Sequence, residues 1–273
     1  MSEPTDFTAI LARWEAQQPD AVAVTFGASN WTWGQLAGRV RRNAAAQRAA
    51  GLAPGDRIAV LDLNHPACLE LTLACAQVGT ANAVVNFRLA PPEIVYVIND
   101  AKARLLFVGP EFAAVVDKLR DQLPSIERVI RIGGADDEYE AWLGAFEPDP
   151  RAHPAAPGDC FVQLYTSGTT GFPKGAMLTH RGMLAHARNV SATQDFGADA
   201  RVQVAMPLFH VGGTSYALIA VNAGAHVYMM RMPDPAAALA MLEAERITHT
   251  FYVPALMAAM NQVAAPPTGT IRP

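Results

Sequence analysis

From residue 56 onward the chain alternates short runs of valine, isoleucine and leucine with longer helix-like segments, and that alternation fixes its fold class. Strands are expected at 57–63, 83–87, 105–108 and 129–132, with helices at 66–78, 91–100 and 110–123 between them. Apolar runs without polar alternation belong to strands buried on both faces, which is the condition of a parallel sheet covered by helices. Pro66, Pro91 and Pro110 stand at first turns, where the missing N–H leaves no hydrogen bond unmade. The pattern resumes with strands at 202–206, 226–230 and 248–253 and helices at 213–223, 235–246 and 254–263. The expected class is α/β with largely parallel sheets covered by helices.

Ahead of this region, Phe7, Ile10, Leu11 and Trp14 mark a helix at 6–18, stopped by Pro19. A strand at 21–26 and an extended piece at 31–33 follow, and Thr32 is placed to cap a helix running to Gly51. Arg39, Arg41, Arg42 and Arg48 on that helix are expected to form a solvated face, and the acidic run 136–140 a solvated loop. Pro148, Pro150, Pro154 and Pro157 interrupt any periodicity and mark a boundary. Two α/β subdomains are therefore expected, 1–150 and 151–263, followed by an irregular tail at 264–273.

With 273 residues, 51% of them hydrophobic and 17% charged, the chain can bury a large core. A net charge of −4 gives no electrostatic ground for binding nucleic acid or an anionic membrane, so any phosphate must meet a local site. Cys68, Cys75 and Cys160 lack C-x-x-C spacing and read as packing residues in a reducing, cytoplasmic setting. Glu3 and Asp6 in an N-terminus without an apolar core exclude a signal peptide. The uncharged stretch 211–230 is long enough for a membrane span, but Gly212, Gly213, Asn222, Gly224 and His226 break it, so a buried helix followed by a strand is expected.

A glycine- and hydroxyl-rich stretch follows the boundary. An apolar run at 160–164, read as a buried strand, leads into Tyr165, Thr166, Ser167, Gly168, Thr169, Thr170, Gly171, Phe172, Pro173, Lys174 and Gly175. Glycines bring N–H groups close to an anion, hydroxyls add donors and Lys174 adds positive charge, which together make phosphate-binding chemistry. The bland alternative for such a composition is a flexible surface turn. A G-x-x-x-x-G-K-[ST] loop is excluded, since counting from Gly168 the second glycine position holds Pro173 and Gly175 replaces the magnesium-binding hydroxyl. A kinase of that class is disfavoured with it. The G-x-G-x-x-G spacing of dinucleotide sites is also absent.

A second signal is Pro207, Leu208, Phe209, His210, Val211, Gly212 and Gly213, where an aromatic and a histidine leave a turn before a glycine-lined helix start, as a pocket mouth requires. Alone, His210 reads as a packed or capping histidine. The histidines show no H-x-x-x-H metal pair, His180 and His186 fall on different helix faces, and no G-x-S-x-G elbow is present.

Residue for residue, 165–175 resembles the Tyr-Thr-Ser-Gly-Thr-Thr-Gly-x-Pro-Lys-Gly signature of the adenylate-forming superfamily, which includes acyl- and aryl-CoA synthetases, peptide-synthetase adenylation domains and beetle luciferases. Weaker similarity at 31–36 and 64–93 extends it over most of residues 20–263. The resemblance implies the layered N-terminal subdomains of that fold. It also implies a carboxylate reacting with ATP to give an acyl-adenylate and pyrophosphate, then transfer to the thiol of coenzyme A. Thr166, Ser167, Gly168, Thr169, Thr170 and Gly171 are implied to hold the β- and γ-phosphates, with Mg2+ beside Thr170. Lys174 is implied to offset the charge of departing pyrophosphate. Phe209 and His210, with Gly212 and Gly213, are implied to line the carboxylate pocket, making Lys174 and His210 the catalytic pair. Amino-acid-activating relatives carry an Asp where His210 stands, so an amino-acid substrate is disfavoured on charge-pairing grounds.

The family's later segments have no counterpart here: a Tyr-Gly-x-Thr-Glu run for adenine and magnesium, an Asp for ribose, a hinge, and a mobile domain bearing the catalytic lysine. The expectation is the N-terminal part of an acyl-CoA synthetase of fatty acid and lipid metabolism, deficient in full catalysis. The alternative is an inactive fragment that binds nucleotide or acyl groups, or acts as an interaction module. Either should leave apolar sheet surface open to self-association.

Overall fold

The computed structural model describes residues 4–166 and 171–263. Helix α1 (Phe7–Gln17) starts at Asp6, whose carboxylate accepts from the Ala9 amide at 2.8 Å. Strands β1 (Val22–Phe26) and β2 (Ser29–Thr32) form a hairpin, and Thr32 caps α2 (Trp33–Ala49) in a reciprocal box with Gln35. Strand and helix then alternate through β3 (Arg57–Leu61), α3 (Pro66–Val78), β4 (Ala81–Val84), α4 (Pro91–Ala101), β5 (Ala103–Val108), α5 (Ala113–Leu119), β6 (Arg128–Arg131) and α6 (Tyr139–Gly144). After the proline-rich stretch come β7 (Cys160–Thr166), β8 (Lys174–Thr179), α7 (His180–Gln194), β9 (Arg201–Val204) and α8 (Val211–Ala223). The described residues end with β10 (His226–Met229), α9 (Pro235–Ala244), β11 (His249–Thr250) and α10 (Pro254–Gln262). Gly224 ends α8 at φ +76°, and a Cβ there would lie 2.6 Å from the Trp14 ring, so both conformation and packing require glycine.

The strands form two sheets, one ordered β6-β5-β3-β4-β7-β8 and the other β11-β9-β10-β1-β2. All pairings are parallel except the β1–β2 and β7–β8 hairpins. Side chains of β3 alternate between two cores, as a strand covered on both faces must. Ile58 and Val60 join a cluster with Leu71 and Leu73 of α3, whereas Ala59 and Leu61 face Ile94, Val97 and Ile98 of α4. The first cluster also takes in Val24, Val202 and Val227 from the five-stranded sheet, so residues of α1, α2, α3 and α8 share one core with both sheets. Helix α3 is buried along its whole length. This is the layered α/β arrangement that the alternating pattern predicts.

The proline-rich boundary does not part the sheets. Strands β7 and β8 lie after it yet extend the sheet of β3–β6, while β1 pairs with β10 through Val24 and Val227. Other departures from expectation are local. The acidic run leads into α6 instead of ending as a loop, because Asp137 accepts from the Tyr139 amide at 2.8 Å and Tyr139, Trp142 and Leu143 are buried. The arginines of α2 are not a solvated face. Arg39 pairs with Glu70 at 2.7 Å and Glu140 at 2.6 Å, Arg48 with Asp149 at 2.8 Å, Arg41 with Glu15, and Arg42 donates to the Phe146 carbonyl. Strand β11 is shorter than the expected 248–253, and α5 starts after a turn at 109–112 closed by the Phe112 amide on Gly109. Residues 211–229 form α8 and β10, and no helix among the described residues is long and apolar enough to cross a membrane. The cysteines are free, two buried and Cys160 half-buried.

Candidate functional site

Strands β7 and β8 pair Tyr165 with Gly175 and Thr166 with Lys174, so the described ends of the glycine- and hydroxyl-rich stretch form an antiparallel hairpin on the six-stranded sheet. Ser167, Gly168, Thr169 and Thr170 lie outside the described residues. At the base, the Tyr165 hydroxyl donates to Asp100 of α4 at 2.6 Å and accepts from Gln163 at 2.9 Å. Burial, then the Asp100 carboxylate, pushes the Tyr165 phenol well above its ordinary value, so the hydroxyl stays protonated as a donor. A Cβ on Gly175 would lie 2.3 Å from the Gln163 amide, which explains the glycine beneath that bridge. Gly171 has φ +109°, a conformation that glycine alone adopts without strain. Phe172, 66% exposed, still stacks on Tyr96 of α4 at 4.8 Å, so α4 holds the hairpin at two points. Thr166 and Lys174 are exposed, and Lys174 has no carboxylate partner among the described residues, leaving its ammonium open to an anion.

The second group lies at the start of α8. His210 caps that helix: its Nδ1 accepts from the Gly212 amide at 3.1 Å, which leaves the proton of the neutral ring on Nε2. The capping role is the one a lone histidine there suggests. Gly213 has no room for a side chain, since a Cβ would lie 2.2 Å from the Pro207 carbonyl oxygen; on Gly212 it would lie 2.9 Å from Phe251. Phe209 meets Phe87 edge-on at 5.0 Å, Phe87 stacks on Phe112 at 5.9 Å, and the Arg88 guanidinium stands 5.6 Å from Phe87 and 5.9 Å from Phe209. This makes a half-open aromatic corner topped by a cation.

Both groups leave the carboxyl ends of parallel strands, where open α/β sheets bind ligands. Phe87 follows β4, the neighbour of β7, and Phe209 follows β9 of the other sheet. Among the described residues no hydrogen bond or ring contact joins Thr166, Gly171 or Lys174 to Phe209 or His210; α4 holds the hairpin and Phe87 meets Phe209, beyond the carboxyl ends of the adjacent parallel strands β7 and β4.

A charged knot joins the turns after β3, β5 and β10. Arg231 donates to Asp62 at 2.7 Å and to Glu111, and Asp62 is fully buried. Burial raises the Asp62 carboxyl to about 6 against the pull of Arg231. Gly109 makes room for it, as a Cβ there would overlap the carboxylate. His65 caps α3 and packs edge-on against Phe26; burial, then Arg231, lowers it to about 4. His180 stacks on Phe161 at 4.5 Å inside the core, and no grouping of metal-ligand side chains occurs among the described residues. Sequence reasoning did not single out Arg88, Asp62, Glu111 or Arg231. Phe87 and Asn64 fell within the segment 64–93 without individual roles.

Two layered, mostly parallel sheets with a glycine-rich hairpin at their carboxyl ends define a class, and the family comparison agrees with it: the chain belongs to the AMP-binding enzyme family, whose model matches residues 11–271. Among curated relatives, a feruloyl-CoA synthase of Amycolatopsis sp is 38% identical over 243 residues, 89% of this chain and 47% of that protein. A long-chain-fatty-acid–CoA ligase of Thermus thermophilus is 32% identical over 238 residues, 84% of this chain and 43% of its own length. The inhibitor-bound N-terminal domain of FACL13 from Mycobacterium tuberculosis superposes with a TM-score of 0.88 at 26% identity, over 95% of this chain and 65% of that one. The chain thus corresponds to the N-terminal part of acyl-CoA ligases and spans about half the length of the curated relatives it matches.

Proposed function

We propose that this chain supplies the phosphate- and carboxylate-binding walls of a cytoplasmic, ATP-dependent acid–thiol ligase. The carrying observation is the exposed Lys174, whose side chain has no carboxylate partner among the described residues, on a hairpin that opens on the same end as the Phe87–Phe209 corner and His210. The relatives named for feruloyl and long-chain fatty acyl groups point to a carboxylic acid as substrate, and an apolar corner suits an aryl or alkyl body.

In this reading a carboxylate oxygen bonds to the α-phosphorus of ATP and the α–β phosphoanhydride breaks, releasing pyrophosphate. The sulfur of coenzyme A then bonds to the acyl carbon, AMP leaves, and the thiol proton passes to solvent. Lys174 counters the charge gathering on pyrophosphate, with hydroxyls and N–H groups of 166–171 as further donors. Magnesium, when bound beside Thr170, adds charge neutralisation on the phosphates. His210, held by its cap, offers Nε2–H toward the acid pocket.

Calorimetry with ATP and a panel of aryl and fatty acids tests the binding part. Wild type should bind both classes of ligand; Lys174→Ala should weaken ATP roughly tenfold or more, and His210→Ala should weaken the acid selectively. Carboxylate-dependent ATP–pyrophosphate exchange, measured alone and with a chain supplying the remaining family segments, tests the chemistry. Absence of binding and of exchange in both settings defeats the reading.

A further inference from the structure

Asn64 lies in the turn that leaves β3 and is 2% exposed. Its side-chain amide spans the turn before α8: Nδ2 donates to the Met206 carbonyl at 3.0 Å, and Oδ1 accepts from the Leu208 amide at 2.8 Å. These backbone groups flank Pro207, and Leu208 immediately precedes Phe209 and His210. A primary amide presents one donor and one acceptor side by side, so it binds this turn as a neighbouring strand would. Asn64 is itself held from the five-stranded sheet. Its N–H donates to the Arg231 carbonyl at 3.2 Å and its carbonyl accepts from the Arg231 guanidinium at 3.4 Å, while that guanidinium pairs with Asp62. Three turns, after β3, β9 and β10, therefore meet at one residue, which binds the β9 turn through its side chain and the β10 turn through its main chain. The Thr214 hydroxyl, donating to the Leu208 carbonyl, closes the same turn from the α8 side.

On the reading proposed above, in which Phe209 and His210 wall the acid pocket, we infer that Asn64 is a positioning residue: its amide clamps Met206 and Leu208 and thereby sets the angle at which Phe209 and His210 face the carboxylate. A buried amide that only filled space would satisfy its polar atoms anywhere. This one spends both on the two main-chain groups around the pocket turn, across 142 and 144 residues of sequence.

The test compares Asn64→Ala and Asn64→Asp with wild type. Asn64→Ala should lower hydrogen-exchange protection of the Leu208 amide at least tenfold and shift the Gly212 amide and His210 imidazole nitrogen resonances. Affinity for an aryl carboxylate such as ferulate should fall roughly tenfold, with affinity for ATP unchanged. Asn64→Asp keeps the acceptor for Leu208 and loses the donor to Met206, so it should retain Leu208 protection while still shifting His210. A role limited to packing would lower the melting temperature yet leave these resonances and the acid-to-nucleotide affinity ratio in place, and that result overturns the inference. Should Asn64→Ala not fold, the Asn64→Asp resonances decide. Should wild type bind no acid, the carboxylate reading fails separately, and the exchange and nitrogen measurements still decide whether Asn64 holds the turn.

Discussion

The two sheets are built to different standards of closure. The six-stranded sheet has a core on each face, with Ile58, Val60, Leu105 and Phe107 packed on one side and Ala59, Leu61, Leu106 and Val108 on the other. The five-stranded sheet shares the first of these cores, but beyond it has, among the described residues, a small cluster of Ala205, Met230, Ala238, Leu256 and Met260. Its outer strand β11 pairs only through His249 and Thr250, beside the exposed side chains of Val211, Phe251, Val253 and Met257. Stability in this chain is therefore concentrated in one sheet, while half of the candidate pocket hangs from the other.

Substitutions that strike one sheet and spare the other test that contrast. The largest effect is expected from Phe107→Ala, a fully buried ring, at about 3–5 kcal/mol by chemical denaturation, against 0.5 kcal/mol or less, as an order of magnitude, for Met257→Ala. Equal losses would mean that the two sheets are closed alike. Next come the ion pairs. Arg39→Met strands the buried Glu70, which has only the Tyr139 hydroxyl left, and should cost about 3 kcal/mol, with much of it regained on adding Glu70→Gln. Glu245→Gln, breaking the half-exposed pair with Arg201, should cost roughly 0.5 kcal/mol.

Acid should act on both regions. His65 and His226 have folded values of about 4, depressed chiefly by burial, so each favours the neutral ring. Their contribution is complete above the ordinary value near 6.5 and is lost as pH falls toward about 4, because the unfolded chain then binds more protons. For His65 the loss is up to about 3 kcal/mol, and His65→Gln should flatten that limb of a stability–pH curve. The smallest effect on folding and the clearest on association belongs to the β11 side. Phe251→Ser with Met257→Ser should leave the melt within a degree or two, as an order of magnitude, while reducing concentration-dependent sedimentation. Unchanged sedimentation would show that this apolar face does not drive self-association.

How far the sequence foretold this depended on how local each cause was. Helix α3 runs from Pro66 to Val78 as expected, because a proline starts it and Gly79, at φ +86°, stops it. Helix α6 stayed hidden because the acidic run outweighed Trp142 and Leu143, whose burial depends on distant partners such as Phe107. The sharing of strands across residue 150 leaves no trace in any short window, since the β1–β10 register is set by tertiary packing. At the site, the glycine- and hydroxyl-rich stretch was readable from composition, and a packed or capping role for His210 from its place before a helix. The Asn64 amide and the Asp62–Arg231–Glu111 knot were not, because each exists only where several separated turns converge.

The pairing of β1 with β10 also has a consequence in time. Val24 finds Val227 only after 203 further residues (227 − 24) have been made. At ordinary rates of synthesis that is about 10–40 s during which the β1–β2 hairpin has left the ribosome with one edge bare. A hairpin alone is at best marginally stable in water, so its apolar strand must wait against α1 and α2 or against a chaperone. A strand made late, β10, thus decides when the first piece of its sheet can settle, and a pause in translation before residue 226 should raise the yield of aggregated chains.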